Sequence, residues 1–140
     1  MAITQAQCTS FKKELLSGTH DFSSDTFKMA LYTADATLNA DNTVYTTTNE
    51  VSGTGYSAGG NTLTVSTTPS SSGTTAYVSL SNTSWASSTI TARGALIYNS
   101  SKANKAVAVL DFGADRSSSS STFTVTFPTA DANSAIIRIS

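Results

Sequence analysis

The chain has 140 residues, a formal net charge of −1 and only 12% charged residues. Its basic residues are scattered, with only Lys12 and Lys13 adjacent, so it lacks the clustered basic face that tracks phosphates, and no nucleic-acid partner is expected. A lone cysteine, Cys8, and a lone histidine, His20, exclude an internal disulfide framework and an intrachain zinc site; no cofactor or metal is expected.

A chain of this length fits one domain spanning 1–140, able to bury a core without staples. Ser and Thr make up about a third of it, and Val, Ile, Leu, Phe and Tyr recur in regular runs. That composition reads as a β-protein whose solvent faces carry hydroxyls. Met1 to Gln5 lacks the basic and apolar regions of a signal peptide, and no run approaches the ~18 apolar residues of a membrane span. The expectation is a protein made in the cytoplasm, with no membrane partner.

In chain order, Thr4 to Ser17 is the one predicted helix. Thr4 and Gln7 have capping-box spacing, and Cys8, Phe11 and Leu15 form an apolar face that Leu16 widens. Gly18 stands where a C-terminal cap belongs. Lys12 and Lys13 fall on the polar side. Such a helix either covers one end of the core or docks on a partner or sister subunit.

The period then changes to two, and residues 26–139 read as β-sandwich. Thr26 to Tyr32 alternates through Phe27, Met29 and Leu31. Residues 33–48 form a long polar excursion anchored by Leu38, Val44 and Tyr45, and Asn49 to Gly60 is a glycine-rich loop. Asn61 to Thr67 is a strand, Pro69 to Gly73 a turn, Thr75 to Ser81 a strand, and Trp85 sits in a half-strand. Ile90 to Tyr98 is a strand with a bulge or close approach at Arg93 and Gly94. Asn99 to Asn104 is a hairpin turn. Lys105 to Phe112 is nearly continuously apolar, as in a strand covered on both faces. Gly113 to Ser121 is a loop, Thr122 to Phe127 a strictly alternating strand, and Ser134 to Ile139 the last strand. About seven or eight short strands without crossover helices predict an antiparallel two-sheet sandwich or jelly roll with one N-terminal helix.

Several motifs invite a chemical reading. Gly55-Tyr56-Ser57-Ala58-Gly59 matches the G-x-S-x-G nucleophile elbow, but β-alternation follows it where a helix is required, and His20 lies upstream. Gly53-x-Gly55-x-x-Ala58 opens no helix and carries no phosphate-binding meaning. The glycines of this loop are expected to supply positive φ in a tight excursion. Asp35, Asn39 and Asp41 lack calcium-loop spacing, and Asp111 and Asp115 read as turn carboxylates. The Asn82 and Asn99 sequons read as turn chemistry. No catalytic set emerges, so the chain is read as a non-enzyme. Trp85, Tyr45, Tyr56, Tyr77 and Tyr98 either pack in the core or at an interface, or form a sugar-stacking platform.

Several blocks carry a family resemblance. They are the opening Met1 to Lys12, Asp25 to Tyr32, Thr48 to Tyr56, Ala92 to Asn99, Val109 to Gly113, and the ending from Phe127 to Ile139. Over nearly its full length the chain resembles small virion structural proteins of tailed bacteriophages, most of all the capsid cement, or decoration, protein of a short-tailed phage. That resemblance implies a jelly-roll-like homo-oligomer, dimer or trimer, on the outer capsid surface, clamping neighbouring major capsid protein subunits. Two other readings stay open: a tail, neck or fibre-associated virion protein, and a carbohydrate-binding β-sandwich module. Candidate interface residues are Lys12, Lys13 and Glu14 on the helix, Glu50 and Tyr56 in the glycine-rich loop, Arg116 beside the serine run, and Arg93. For Arg93 an internal ion pair with Asp111 is the equal alternative.

Overall fold

The computed structural model describes residues 2–140, and it is mainly antiparallel β with one helix near the N-terminus, sandwich-like as expected. Strand β1 (Ala6–Gln7) leads into helix α1 (Thr9–Leu16). Then come β2 (Phe27–Tyr32), β3 (Asn61–Leu63), β4 (Val65–Ser72), β5 (Thr75–Leu80) and β6 (Thr83–Ser88). A long hairpin of β7 (Thr91–Asn99) and β8 (Lys105–Ser117) follows, then β9 (Ser121–Val125) and β10 (Ile137–Ile139). The strands are hydrogen-bonded in three groups, ordered β1-β8-β7-β2-β3, β10-β5-β4 and β6-β9.

The five-stranded group is the centre of the molecule. Residues 29–32 of β2, 94–99 of β7 and 106–110 of β8 are all buried, because both faces of this sheet are covered. The alternation of Phe27, Met29 and Leu31 marks one face as expected, yet Ala30 and Tyr32 on the opposite face are buried too. In the antiparallel register Lys28 opposes Tyr98 and Ala30 opposes Leu96, so these residues share the second face. Phe22 stacks on Phe27 with ring centroids 4.3 Å apart, and Phe11 of α1 meets Phe22 edge-on at 6.0 Å. The apolar side chains among these belong to one contiguous core.

Besides the break of Asn61 to Thr67 at Thr64 into β3 and β4, and a last strand of Ile137–Ile139 rather than Ser134 to Ile139, three expected boundaries are corrected. The helix begins at Thr9, not Thr4, and its N-cap, Cys8, makes no side-chain capping bond. Residues 6 and 7 instead pair with Ala108 and Val109 of β8, and the Thr4 amide donates to the Leu38 carbonyl, so sheet-edge pairing claims the backbone that the capping box needed. The C-terminal cap is as expected, with Gly18 at φ +72 after Ser17. Leu16 does not widen the apolar face, being 93% exposed. The second correction concerns Pro69 to Gly73. Strand β4 runs through Pro69 and turns only after Ser72, because β4 is an edge strand where a missing amide costs nothing, and its register shifts on both sides of Thr67. Finally, Gly113 to Ser121 is largely strand. Strand β8 continues to Ser117, opposing Thr91 and Ala92 beyond a register shift, and only three residues separate it from β9.

Two glycines fix close approaches. A Cβ on Gly60, at φ +75, would lie 1.7 Å from the Met29 carbonyl oxygen. On Gly94 it would lie 2.5 Å from the Leu110 carbonyl oxygen and 2.9 Å from the Ile3 side chain, so the predicted close approach at Arg93–Gly94 is present. It coincides with a register shift between Ala92 and Gly94, a bulge in β7.

Candidate functional site

The most concentrated polar chemistry gathers on Glu50. Its carboxylate accepts hydrogen bonds from the Tyr45 hydroxyl at 2.6 Å, the Tyr56 hydroxyl at 2.5 Å and the Gly59 amide at 2.8 Å. Tyr56 in turn accepts from the Leu31 amide at 2.9 Å, on the stretch of β2 that β3 no longer covers. Tyr98 donates to the Gly59 carbonyl at 2.6 Å and stacks on Tyr45 at 4.7 Å. Tyr32 donates to the Thr46 carbonyl at 2.6 Å. Four tyrosines thus tie residues 44–60 to the second face of the central sheet. Burial, and then the Glu50 charge, push the Tyr98 hydroxyl up to about 12 and hold Tyr32 higher still. Burial and the hydrogen bond to Glu50 raise Tyr45 and Tyr56 likewise.

A second network sits under α1. The Asn99 side-chain oxygen accepts from the Ser101 backbone amide at 3.0 Å, which orients the Asn99 amide group unambiguously. Its nitrogen therefore donates to His20 Nδ1 at 2.9 Å and to Asp25 at 2.8 Å. With Nδ1 accepting, Nε2 of His20 carries the proton and donates to Glu14 at 2.8 Å. Lys102 lies 3.0 Å from Asp25, and Lys105 lies 3.8 Å from Glu14. Burial alone would raise the Asp25 carboxyl, but the hydrogen bonds from Asn99, the Asp21 amide and Lys102 outweigh it and leave it below its ordinary value.

The seven candidate interface residues therefore divide. Glu50 and Tyr56 are brought together, and both are half-buried in the tyrosine hub. Glu14 is committed to His20 and Lys105. Arg93 Nε lies 3.6 Å from Asp111 on the neighbouring strand, the internal pairing that the sequence allowed. Lys12, Lys13 and Arg116 are exposed, with Arg116 reaching the Phe112 carbonyl at 3.3 Å. The helix and the end of β8 do not join into one patch through hydrogen bonds or ion pairs of these residues.

The tempting motifs resolve into architecture. Gly53, Gly55, Gly59 and Gly60 all have positive φ, as the loop required. Ser57 is exposed, and both ring nitrogens of His20 bond to Glu14 and Asn99 rather than to Ser57. Asn39 accepts from the Asp41 amide in a local turn, and Asn82 accepts from the Phe127 amide. Asn99 is fully buried. Among the described residues no three His, Cys, Asp or Glu side chains converge as metal ligands. Cys8 is buried, and burial followed by the Glu14 charge raises its thiol to about 11, so it stays protonated and inert at neutral pH.

Trp85 is 4% exposed, between Tyr56 at 5.9 Å and Phe123 at 6.1 Å, and the hub tyrosines turn inward. These aromatics are core, not a platform. The surface concavities include two near the strand ends. One, of about 550 Å³, lies between the end of β8 and the outer edge of β9; the other, about 210 Å³ and apolar, lies between the end of α1 and strands β5 and β10.

No family model, no curated protein and no solved structure matches the chain.

Proposed function

We propose that the protein is a non-enzymatic phage cement protein, binding the outer capsid surface and stabilising contacts between major capsid protein subunits. The sequence blocks quoted above support the virion reading. The structural observation that carries the clamp role is the Glu50 hub. It fastens the long excursion of residues 33–60 to the core through buried hydroxyls, so the scaffold presents its loops rigidly. A rigid module repeated around a shell gains by avidity what each contact lacks in affinity. Its hydroxyl-rich, weakly charged surface suits wet, salt-tolerant contacts. Of the candidate contacts, Lys12, Lys13 and Arg116 keep their charges at the surface. The burial of Trp85 and the inward turn of Tyr45, Tyr56 and Tyr98 leave Tyr77, half-buried beside the smaller groove, as the one member of that aromatic set still offered to the glycan-binding alternative.

The test is to mix the purified protein with capsids that lack it and image the particles by electron microscopy. Regular density at capsid symmetry axes, on shells that better survive heat, is the expected result. Bare shells with density at the portal or tail would transfer the protein to the tail or neck reading. No binding anywhere on the particle would overturn both.

A further inference from the structure

Strand β9 pairs only with β6, with Val125 opposite Thr83, Thr124 opposite Ser84 and Phe123 opposite Trp85. The Ser84 carbonyl faces away from β9, since it accepts from the Asn61 side chain at 2.8 Å. Opposed residues in an antiparallel pair exchange both backbone bonds or neither, so Thr124 likewise turns its amide and carbonyl away from β6. Alternation gives Thr122 the same direction. It gives Thr126 that direction too, because the Phe127 amide points back to donate to Asn82 at 2.8 Å. This outward row opens on the 550 Å³ groove, whose far wall is Phe112, Arg116 and Ser117 of β8. Phe112 and Phe123 meet across it, ring centroids 6.3 Å apart.

The other strand edges are covered, bulged or short. The outer edge of β6 is covered, because Asn61 holds Ser84 and the glycine-rich loop lies against the backbone that follows. A Cβ on Gly55 would stand 2.8 Å from the Ser88 Cα, and one on Gly53 would stand 2.6 Å from the Thr89 carbonyl oxygen. Strands β1, β3 and β10 have two or three residues, and β4 carries Pro69 and two register shifts. Beyond Val109, where β1 stops, β8 bulges, so that Phe112 to Asp115 stand opposite Arg93 alone. Regular outward donors and acceptors are left on β9, and the backbone of another extended segment is what matches such a row.

The groove selects the segment. Its volume holds roughly three to four residues of strand, taking about 3.4 Å of rise, 4.8 Å of strand spacing and 10 Å of layer per residue. A strand lying there along β9 has the β8 side chains on its far side, so no further strand can flank it. The occupant is therefore an isolated extended segment, not the edge of a sheet. Charge adds a second condition. Arg116 is the one charged residue among the lining side chains, and among the described residues no carboxylate lies within ion-pair distance of it. One of its terminal nitrogens donates to the Phe112 carbonyl at 3.3 Å, and its other N–H groups are open to a carboxylate on the segment. A second copy of this chain cannot meet both conditions. Its nine acidic residues lie on α1, in turns, in the two hydrogen-bonded networks, or on β8, which β7 already flanks.

We propose that this groove takes an extended segment of another protein, which pairs along β9 and sets an acidic side chain against Arg116. The inference deepens the cement reading by naming what a shell subunit offers, and it rests on that reading only for the partner's identity. Peptide binding is measured without capsids, so either can fail alone.

The test titrates the full chain, followed by amide NMR, with a blocked heptapeptide in which valine alternates with threonine and a central aspartate. At millimolar peptide the amides of Thr122, Thr124 and Thr126 are expected to shift downfield and to exchange more slowly. Those of Phe123 and Val125, already bonded to β6, move less. The same peptide with lysine in place of aspartate is expected to bind roughly five-fold more weakly at low salt, a difference that Arg116→Gln removes. Thr124→Pro deletes one outward amide and leaves the ladder to β6 intact, so it is expected to abolish binding in a chain still folded by circular dichroism. Unmoved amides at Thr122, Thr124 and Thr126 overturn the proposal. So do equal affinities of the wild type for the two peptides, or binding that survives Thr124→Pro. Protection of the same amides by self-association without peptide would make the occupant a second copy, and also overturns it.

Discussion

Glu50 is the residue on which the long excursion depends. Its carboxylate serves two hydroxyls and a backbone amide at once, and no other acceptor replaces it in the hub. Glu50→Ala leaves those donors without a partner, at a cost of about 2–3 kcal/mol, read as a lower urea midpoint. Glu50→Gln keeps the shape and one acceptor oxygen and is expected to cost less. The same hub sets the alkaline limit of the fold. Its tyrosines lose protons less readily folded than unfolded, so the native chain binds more protons than the unfolded chain at high pH. Their contribution is whole below the ordinary tyrosine value of about 10 and drains away as pH rises through the folded values. Ultraviolet difference spectra should therefore show tyrosinate from Tyr32, Tyr45, Tyr56 and Tyr98 appearing together with loss of circular dichroism. Smooth ionisation near pH ~10 in a chain that stays folded would contradict the hub.

At the scale of elements, packing and backbone approach decide what each segment tolerates. Gly60 sits where β3 begins beside β2, at positive φ and against the Met29 carbonyl. Gly60→Ala adds both strain and a backbone collision, and about 3 kcal/mol of destabilisation is expected in denaturant unfolding. Gly73, also at positive φ but with open space around it, should cost only the conformational part, about 1 kcal/mol for Gly73→Ala. The strands themselves were readable because alternation reports a one-sided apolar face directly, as with Phe123 and Val125 in β9, although the alternation runs on to Phe127, past the strand's end at Val125. The start of α1 was not, since Ala6 and Gln7 are captured by Val109 and Ala108, about a hundred positions away, and no local spacing encodes that pairing. The hub escaped for the same reason. Tyr32, Tyr45, Tyr56 and Tyr98 share no period, and only the fold of the 33–60 excursion brings them to one carboxylate. Asn99 looked like turn chemistry and does bond to the Ser101 amide, but its other end reaches His20 and Asp25 across the core.

For the whole molecule, stability rests on one apolar core and buried hydrogen bonds rather than on charge. The ion pairs of the described residues are Glu14 with Lys105, Asp25 with Lys102, and Arg93 with Asp111. Arg93, Lys102 and Lys105 are each more than a third exposed at the side chain, so water and salt already screen them. Raising salt from tens of millimolar to molar should leave the melting temperature nearly unchanged. Acid acts differently, because Asp25 is held ionised by hydrogen bonds that salt does not remove. Its folded pKa lies below the unfolded value, so the native chain binds fewer protons there. Its contribution is present above about pH 4 and is lost as pH falls through the folded value. Melting curves collected against both variables separate the two effects. A flat salt series with a fall in melting temperature on acidification, blunted in Asp25→Asn, is the expected pattern. A steep salt dependence at neutral pH would instead place the stabilising weight on the surface ion pairs.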